Sequence, residues 1–135
     1  RTSSGMWLPG GPQVARVSLK LRPLFFRTMD PESPQVTRYH EGEFYVPHMD
    51  AADHMRPDQP SLDVDNRKAT VLTYLNDVPR GGHTAFPLLG ISVPPKKGAS
   101  LIFFPSFADG YLDKRALHEA QPAHDEKWVM QLWLH

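Results

Sequence analysis

The chain has 135 residues, 40% of them apolar and 22% charged, and its fifteen Lys and Arg balance fifteen Asp and Glu to a formal net charge of zero. That length suits one domain, and the balance leaves no bulk basic footprint for nucleic acid or for a membrane surface. There is no cysteine, which excludes disulfides, zinc–thiolate sites and a cysteine nucleophile, and no run approaches the ~20 apolar residues of a membrane helix.

The sequence opens at Arg1-Thr2-Ser3-Ser4-Gly5 without an initiating Met or a signal peptide. It therefore reads as part of a longer chain, and the compartment stays open. Fourteen prolines and nine glycines cut it into short pieces, which favours short strands over long helices. Arg1 to Gly11, rich in Ser, Gly and Pro, reads as a loop. From Val14 to Phe26 two readings compete. Val17, Leu19 and Leu21 alternate like a strand, while Pro12 suits the first position of a helix over Gln13 to Leu19.

Beyond Pro34 the pattern sharpens. Gln35 to Tyr39 and Glu43 to Val46 are short strands split by Glu41-Gly42, and the polar stretch from Asp53 to Asn66 is a loop. Ala69 to Leu75, rich in β-branched and aromatic residues, is a buried strand. Further strands follow at Thr84 to Phe86, Ile91 to Val93, Ala99 to Phe104, Leu117 to Gln121 and Trp128 to Leu134, with turns between them. Seven or eight short strands at regular spacing predict a mainly β domain, a sandwich or barrel whose natural form is a jelly roll.

His48-Met49-Asp50 is a His-x-Asp dyad. On extended chain, residues two apart share a face, so both side chains can reach one ion. A second histidine from elsewhere completes two imidazoles and a carboxylate on one face of an octahedron, a set that suits non-haem iron(II). Seven histidines make such a dyad a weak signal, and His124-Asp125 is a second one. Context separates them: His48 follows the apolar Phe44-Tyr45-Val46-Pro47, whereas His124 sits in a polar run that reads as a solvated turn. For the third ligand, His40, His54 and His83 lie in turns or loops and His135 ends the chain, where it can belong to a tag. His118 stands inside a late strand. Nine residues on, Lys127 opens the last strand, where a cation can pair with a dicarboxylate bound to the metal.

Taken together, these blocks resemble the prolyl 4-hydroxylase family of iron(II)- and 2-oxoglutarate-dependent dioxygenases. They are Arg1 to Gly5, Val36 to Tyr39, Gly42 to Asp50, Arg67 to Val78, Gly81 to Pro87, Pro95 to Ala99, and Leu117 with His118 through Lys127-Trp128 to Leu134. Matches in the same order cover most of the chain apart from Pro9 to Pro34. The resemblance implies a double-stranded β-helix, that is, a jelly roll with few short helices, forming one catalytic domain over residues 1–135 whose usual N-terminal helical part is missing.

It implies that His48, Asp50 and His118 hold Fe(II). Lys127, Tyr39 and Thr84 would bind 2-oxoglutarate, and Arg67 and Trp133 the substrate. O2 would be consumed, ascorbate would serve as reductant, and 2-oxoglutarate would be decarboxylated to succinate and CO2 as a peptidyl proline is hydroxylated. Arg1 to Gly5 matches a mobile loop that closes over substrate. Three departures bear on the substrate: His83 stands where an acid is common, Ala51 where an aromatic is common, and the insert from Asp53 to Asn66 has no close match.

Other readings stay open at this point. The same chemistry can act on a lysyl residue, a free amino acid or another small molecule, and a jelly roll can serve as a non-catalytic binding module. A nucleic-acid demethylase of similar fold is disfavoured by the neutral charge and by a lysine where that family generally has an arginine anchor. The expected partner is a proline-containing peptide or protein, with no nucleic acid and no membrane contact from this segment.

Overall fold

The computed structural model describes residues 1–21, 23, 29–52 and 66–135. The expected loop from Asp53 to Asn66, and His54 within it, lie outside these residues except for Asn66. Among these residues, nine strands and one α-helix run in the order β1 (Ser4–Trp7), α1 (Pro12–Leu21), β2 (Gln35–Tyr39), β3 (Tyr45–His48), β4 (Ala69–Tyr74), β5 (Thr84–Phe86), β6 (Ile91–Val93), β7 (Ser100–Phe103), β8 (His118–Ala120) and β9 (Lys127–Leu134), with a 3-10 turn at Lys114–Ala116 before β8. They form a five-stranded sheet ordered β1-β2-β9-β4-β7 and a four-stranded sheet ordered β3-β8-β5-β6. Every ladder is antiparallel. The mainly β jelly-roll arrangement is the one expected.

One reading changes and one left open is decided. The opening segment is not all loop, because Ser4 to Trp7 pairs with β2 as an edge strand. All four of its residues are exposed, so it carries no buried alternation that a sequence could display. The ambiguous segment after Pro12 is a helix. Pro12 has the fixed φ and the missing N–H that suit a first turn. Val14, Val17 and Leu21, spaced three and four apart, form its half-buried stripe, while Leu19 stays exposed.

The alternation of β9 organises the rest. Lys127, Val129, Gln131 and Trp133 point to one face and are all buried. They face the second sheet, where Tyr39, Leu72, Tyr74, Ala123 and Val129 pack with Tyr45, Val93 and Ala120. On the opposite face Leu132 and Leu134 join Ala69 and Val71, covered by Leu21 of α1 and by Met29. Central β4 is thus buried on both sides, which is why it shows no alternation of apolar with charged residues. No helix among the described residues is long and apolar enough to cross a membrane.

Candidate metal centre and cosubstrate pocket

His48 and His118 face each other across the β3–β8 ladder, although the ladder is not regular. Between the pairs Tyr45↔Ala120 and His48↔His118, β3 advances three residues while β8 advances two. One extra residue therefore bulges β3, in the segment that contains Pro47, which has no N–H to give the ladder. Asp50 lies past the end of β3, in a bend. The dyad thus does not converge by simple strand alternation: the bulge and the bend aim it.

The three side chains meet. One donor atom from each of His48, Asp50 and His118 lies within 4.8 Å of the others. Asp50 Oδ1 is 3.6 Å from His48 Nε2 and 3.7 Å from His118 Nε2. Each imidazole is held from behind, His48 Nδ1 donating to the Val46 carbonyl at 2.8 Å and His118 Nδ1 to the Ala116 carbonyl at 3.0 Å. With Nδ1 carrying the proton, each Nε2 keeps its lone pair turned inward, the arrangement usual for a metal-ligating histidine. Burial, together with the neighbouring His118, holds His48 below the ordinary imidazole range and favours the neutral, ligating form.

His118 is only 2% exposed, packed against Phe86 and Phe103, and its Nε2 has no hydrogen-bond partner among the described residues. An orphaned buried acceptor costs about 1–3 kcal/mol unless something binds it. The donor set and this orphan fit a divalent ion with open positions.

A second cluster lies under β9. Lys127 is 1% exposed, and its Nζ donates to the Gly82 carbonyl at 2.6 Å and sits 5.0 Å from the centre of the Tyr39 ring and 5.9 Å from that of Tyr74. Gly82 (φ +67°) and Gly81 (φ +69°) allow this approach, since a side chain at Gly81 would strike the Pro122 carbonyl. Tyr74 donates to Thr84 Oγ1 at 2.9 Å, so the Thr84 proton is not spent on Tyr74. Tyr39 is buried, which pushes its phenol up, and it feels both Arg1 and Asp50. It bridges the two clusters.

No carboxylate among the described residues pairs with Lys127, and burial alone pulls its pKa down to about 8. The unfolded lysine titrates near 10.4, so between pH 8 and 10.5 the unfolded state binds more protons and stability rises with pH. The penalty is largest below pH 8, at about 3 kcal/mol, and fades through that window. Urea unfolding across this range should therefore show the wild type gaining on Lys127→Met as pH rises. Parallel pH curves for the two proteins would mean that the ammonium is not desolvated.

The remaining site candidates fall beside the metal centre. The Arg67 guanidinium lies 4.0 Å from the Trp133 ring centroid, donates to Glu32 at 2.5 and 2.9 Å and reaches the Asp50 carbonyl at 3.2 Å. Trp7 meets Trp133 at 5.4 Å between centroids, and the Trp133 Nε1 proton is buried without a partner. A groove of about 560 Å³ opens there, lined by Trp7, Leu8, Pro9, Glu32 and Ser33. Sequence reasoning missed Thr70, Tyr74 and Glu32. The first two look like ordinary strand residues, and Glu32 lies in the stretch without a recognisable match. His40 and His124 are exposed, and His83 is half-buried just before β5, its carbonyl accepting from the Gln121 N–H. His135 is no loose end: its ring contacts Glu32 at 2.8 Å and its backbone pairs with Asp30.

The profile of the 2OG-Fe(II) oxygenase superfamily matches residues 34–135. The chain belongs to that superfamily. Its reactions use Fe(II), 2-oxoglutarate and O2. Along its whole length this chain is 39% identical to human prolyl 4-hydroxylase subunit alpha-1 and 34% identical to the probable prolyl 4-hydroxylase 7 of Arabidopsis thaliana. It spans 26% of the human protein and 49% of the plant one. Among solved structures it is similar to the viral collagen prolyl hydroxylase of Paramecium Bursaria Chlorella virus-1 in its 2OG complex. The TM-score is 0.87 at 29% identity, over 98% of this chain and 78% of the viral one.

Proposed function

We propose that residues 1–135 form one catalytic domain that hydroxylates a prolyl residue of an extended peptide at C4. O2 and 2-oxoglutarate are consumed, succinate and CO2 are released, and ascorbate is the reductant that keeps the iron ferrous. The observation that carries this reading is the convergence of His48, Asp50 and His118 around the unpartnered Nε2 of His118. The relatives named as prolyl hydroxylases support the substrate class.

His48, Asp50 and His118 would hold the iron as one carboxylate oxygen and two imidazole nitrogens, leaving the rest of an octahedron open. When bound, the metal supplies dioxygen activation coupled to decarboxylation of the cosubstrate. The protein's part is binding and shielding. Lys127 has spent one of its three protons on Gly82, so two remain to receive the distal carboxylate of 2-oxoglutarate, with the Thr84 hydroxyl beside it. Tyr39 offers a third donor. Burial of all three residues keeps water from competing for that carboxylate.

For the peptide, the groove is lined by Trp7, Leu8 and Pro9, and Trp7, backed by the buried Trp133 ring, offers an apolar wall for a pyrrolidine. Proline-rich segments are already extended and lose little entropy on lying in such a groove. Arg67 has given three of its five donors to Glu32 and the Asp50 carbonyl, so two remain for peptide carbonyls. A second reading keeps the chemistry and changes the target to a lysyl residue, a free amino acid or another small molecule. It is favoured by Ala51 and His83, which depart from the family pattern beside the site.

Iron-loaded protein incubated with O2, 2-oxoglutarate and a panel of proline-rich peptides should add one oxygen to proline, read by mass spectrometry. Arg67→Ala should lose most of that product while 2-oxoglutarate consumption continues uncoupled. Turnover on free amino acids with no peptide modified would establish the second reading instead.

A further inference from the structure

Thr70 is a polar residue near the start of β4, where five of the six residues are buried. It is 0% exposed and stands on β4 between Phe103 of β7 and Trp133 of β9. Strand preference is met by threonine and valine alike, but full burial at such a place favours valine. A buried hydroxyl there costs free energy unless it is hydrogen-bonded. The bond it makes is to Asp50 Oδ2, at 2.8 Å.

The other carboxylate oxygen, Oδ1, is the one that lies 3.6 and 3.7 Å from the two imidazole Nε2 atoms. The Asp50 main chain is held as well, by Arg67 at its carbonyl. Strand β4 and the residue three before Thr70 therefore grip Asp50 at both ends.

We infer that Thr70 is a positioning residue that makes Asp50 a one-oxygen ligand. This inference rests on the metal reading above. Rotation of an Asp carboxylate about its last bond is broad and roughly two-fold. A hydroxyl donating to Oδ2 stops that rotation, occupies the oxygen's outward lone pair and leaves Oδ1 aimed at the point the two imidazoles share. Three protein donors then leave three positions of an octahedron, the number that a two-toothed 2-oxo acid and dioxygen need together. A carboxylate turning to present both oxygens would take one of them.

The test is Co(II) alone, added to metal-free protein and followed by its visible absorption, in wild type, Thr70→Val, Thr70→Ser and His118→Ala. Val keeps the shape and removes the hydroxyl, while Ser keeps the hydroxyl and removes a methyl. Outer-sphere partners of metal ligands are worth about 10–100-fold in affinity. Thr70→Val should bind Co(II) at least about tenfold more weakly, with a changed spectrum, and Thr70→Ser should stay within about threefold of wild type. A packing role predicts the reverse order, Val intact and Ser impaired, and that result overturns the inference. So does Val within about twofold of wild type. Failure of wild type and His118→Ala alike to take up Co(II) would sink the metal reading itself, and the role of Thr70 with it.

Discussion

Alanine at His118 should abolish 2-oxoglutarate turnover and metal uptake together, and alanine at His48 or Asp50 should do the same. Each change removes one of three donor atoms that lie within 4.8 Å of one another. For His118 the loss is sharpest, because its Nε2 is buried and has no other partner. Binding of an ion to the folded state alone stabilises it, by about 2.7 kcal/mol at a hundredfold excess over Kd. Metal should therefore raise the unfolding temperature of wild type and leave that of His118→Ala unmoved. The same substitution at His83 or His124 should leave the metal-dependent rise intact, since His124 is exposed and neither belongs to the cluster. If His124→Ala lost the rise while His118→Ala kept it, the third donor would be misassigned.

Lys127→Ala should weaken 2-oxoglutarate by roughly two to four decades while sparing the metal. Breaking a buried pair by removing one partner costs about 3–5 kcal/mol, and each 1.4 kcal/mol is a decade. In the free protein the ammonium already bears the cost of burial, with its pKa down at about 8 and no carboxylate to offset it. A bound dicarboxylate supplies that missing charge. Arginine should rescue poorly. The Lys127 stem runs close enough to Gly82 that a Cβ there would lie 3.2 Å from its Cδ, so a planar guanidinium lacks room. Anaerobic titration of the iron-loaded protein, following the visible band of the 2-oxoglutarate chelate, measures this directly. An unchanged midpoint in Lys127→Ala would leave the lysine without a role in the pocket.

Much of the architecture was legible in the sequence because burial on a sheet writes itself as period two. Lys127, Val129, Gln131 and Trp133 alternate with Trp128, Met130, Leu132 and Leu134, and β4 carries no charged residue on either face because it is covered on both. Turn residues marked most strand ends. What escaped was structure that buries nothing: β1 pairs through backbone hydrogen bonds with every side chain exposed, so no pattern announced it. The helix after Pro12 was undecided because Val14, Val17, Leu19 and Leu21 satisfy a helical and an alternating period at once. Contact of Leu21 with the far face of the sheet settles it.

The candidate site divides along the same line. By itself the sequence determined which donors exist: no thiolate anywhere, one His-x-Asp after an apolar strand, a late strand histidine and a lysine opening the last strand. Only the tertiary structure decided that they meet. His118 lies 68 residues beyond Asp50 in the chain, and it faces His48 through a ladder whose bulge no local pattern displays. Thr70, Tyr74 and Glu32 carry no signature at all, since a threonine or tyrosine in a strand and an acid in a loop are the commonest of residues there. Their roles are defined by what stands opposite them, Asp50, Thr84 and Arg67. Those distances are set by register and layer packing, which are properties of the whole fold and of no segment within it.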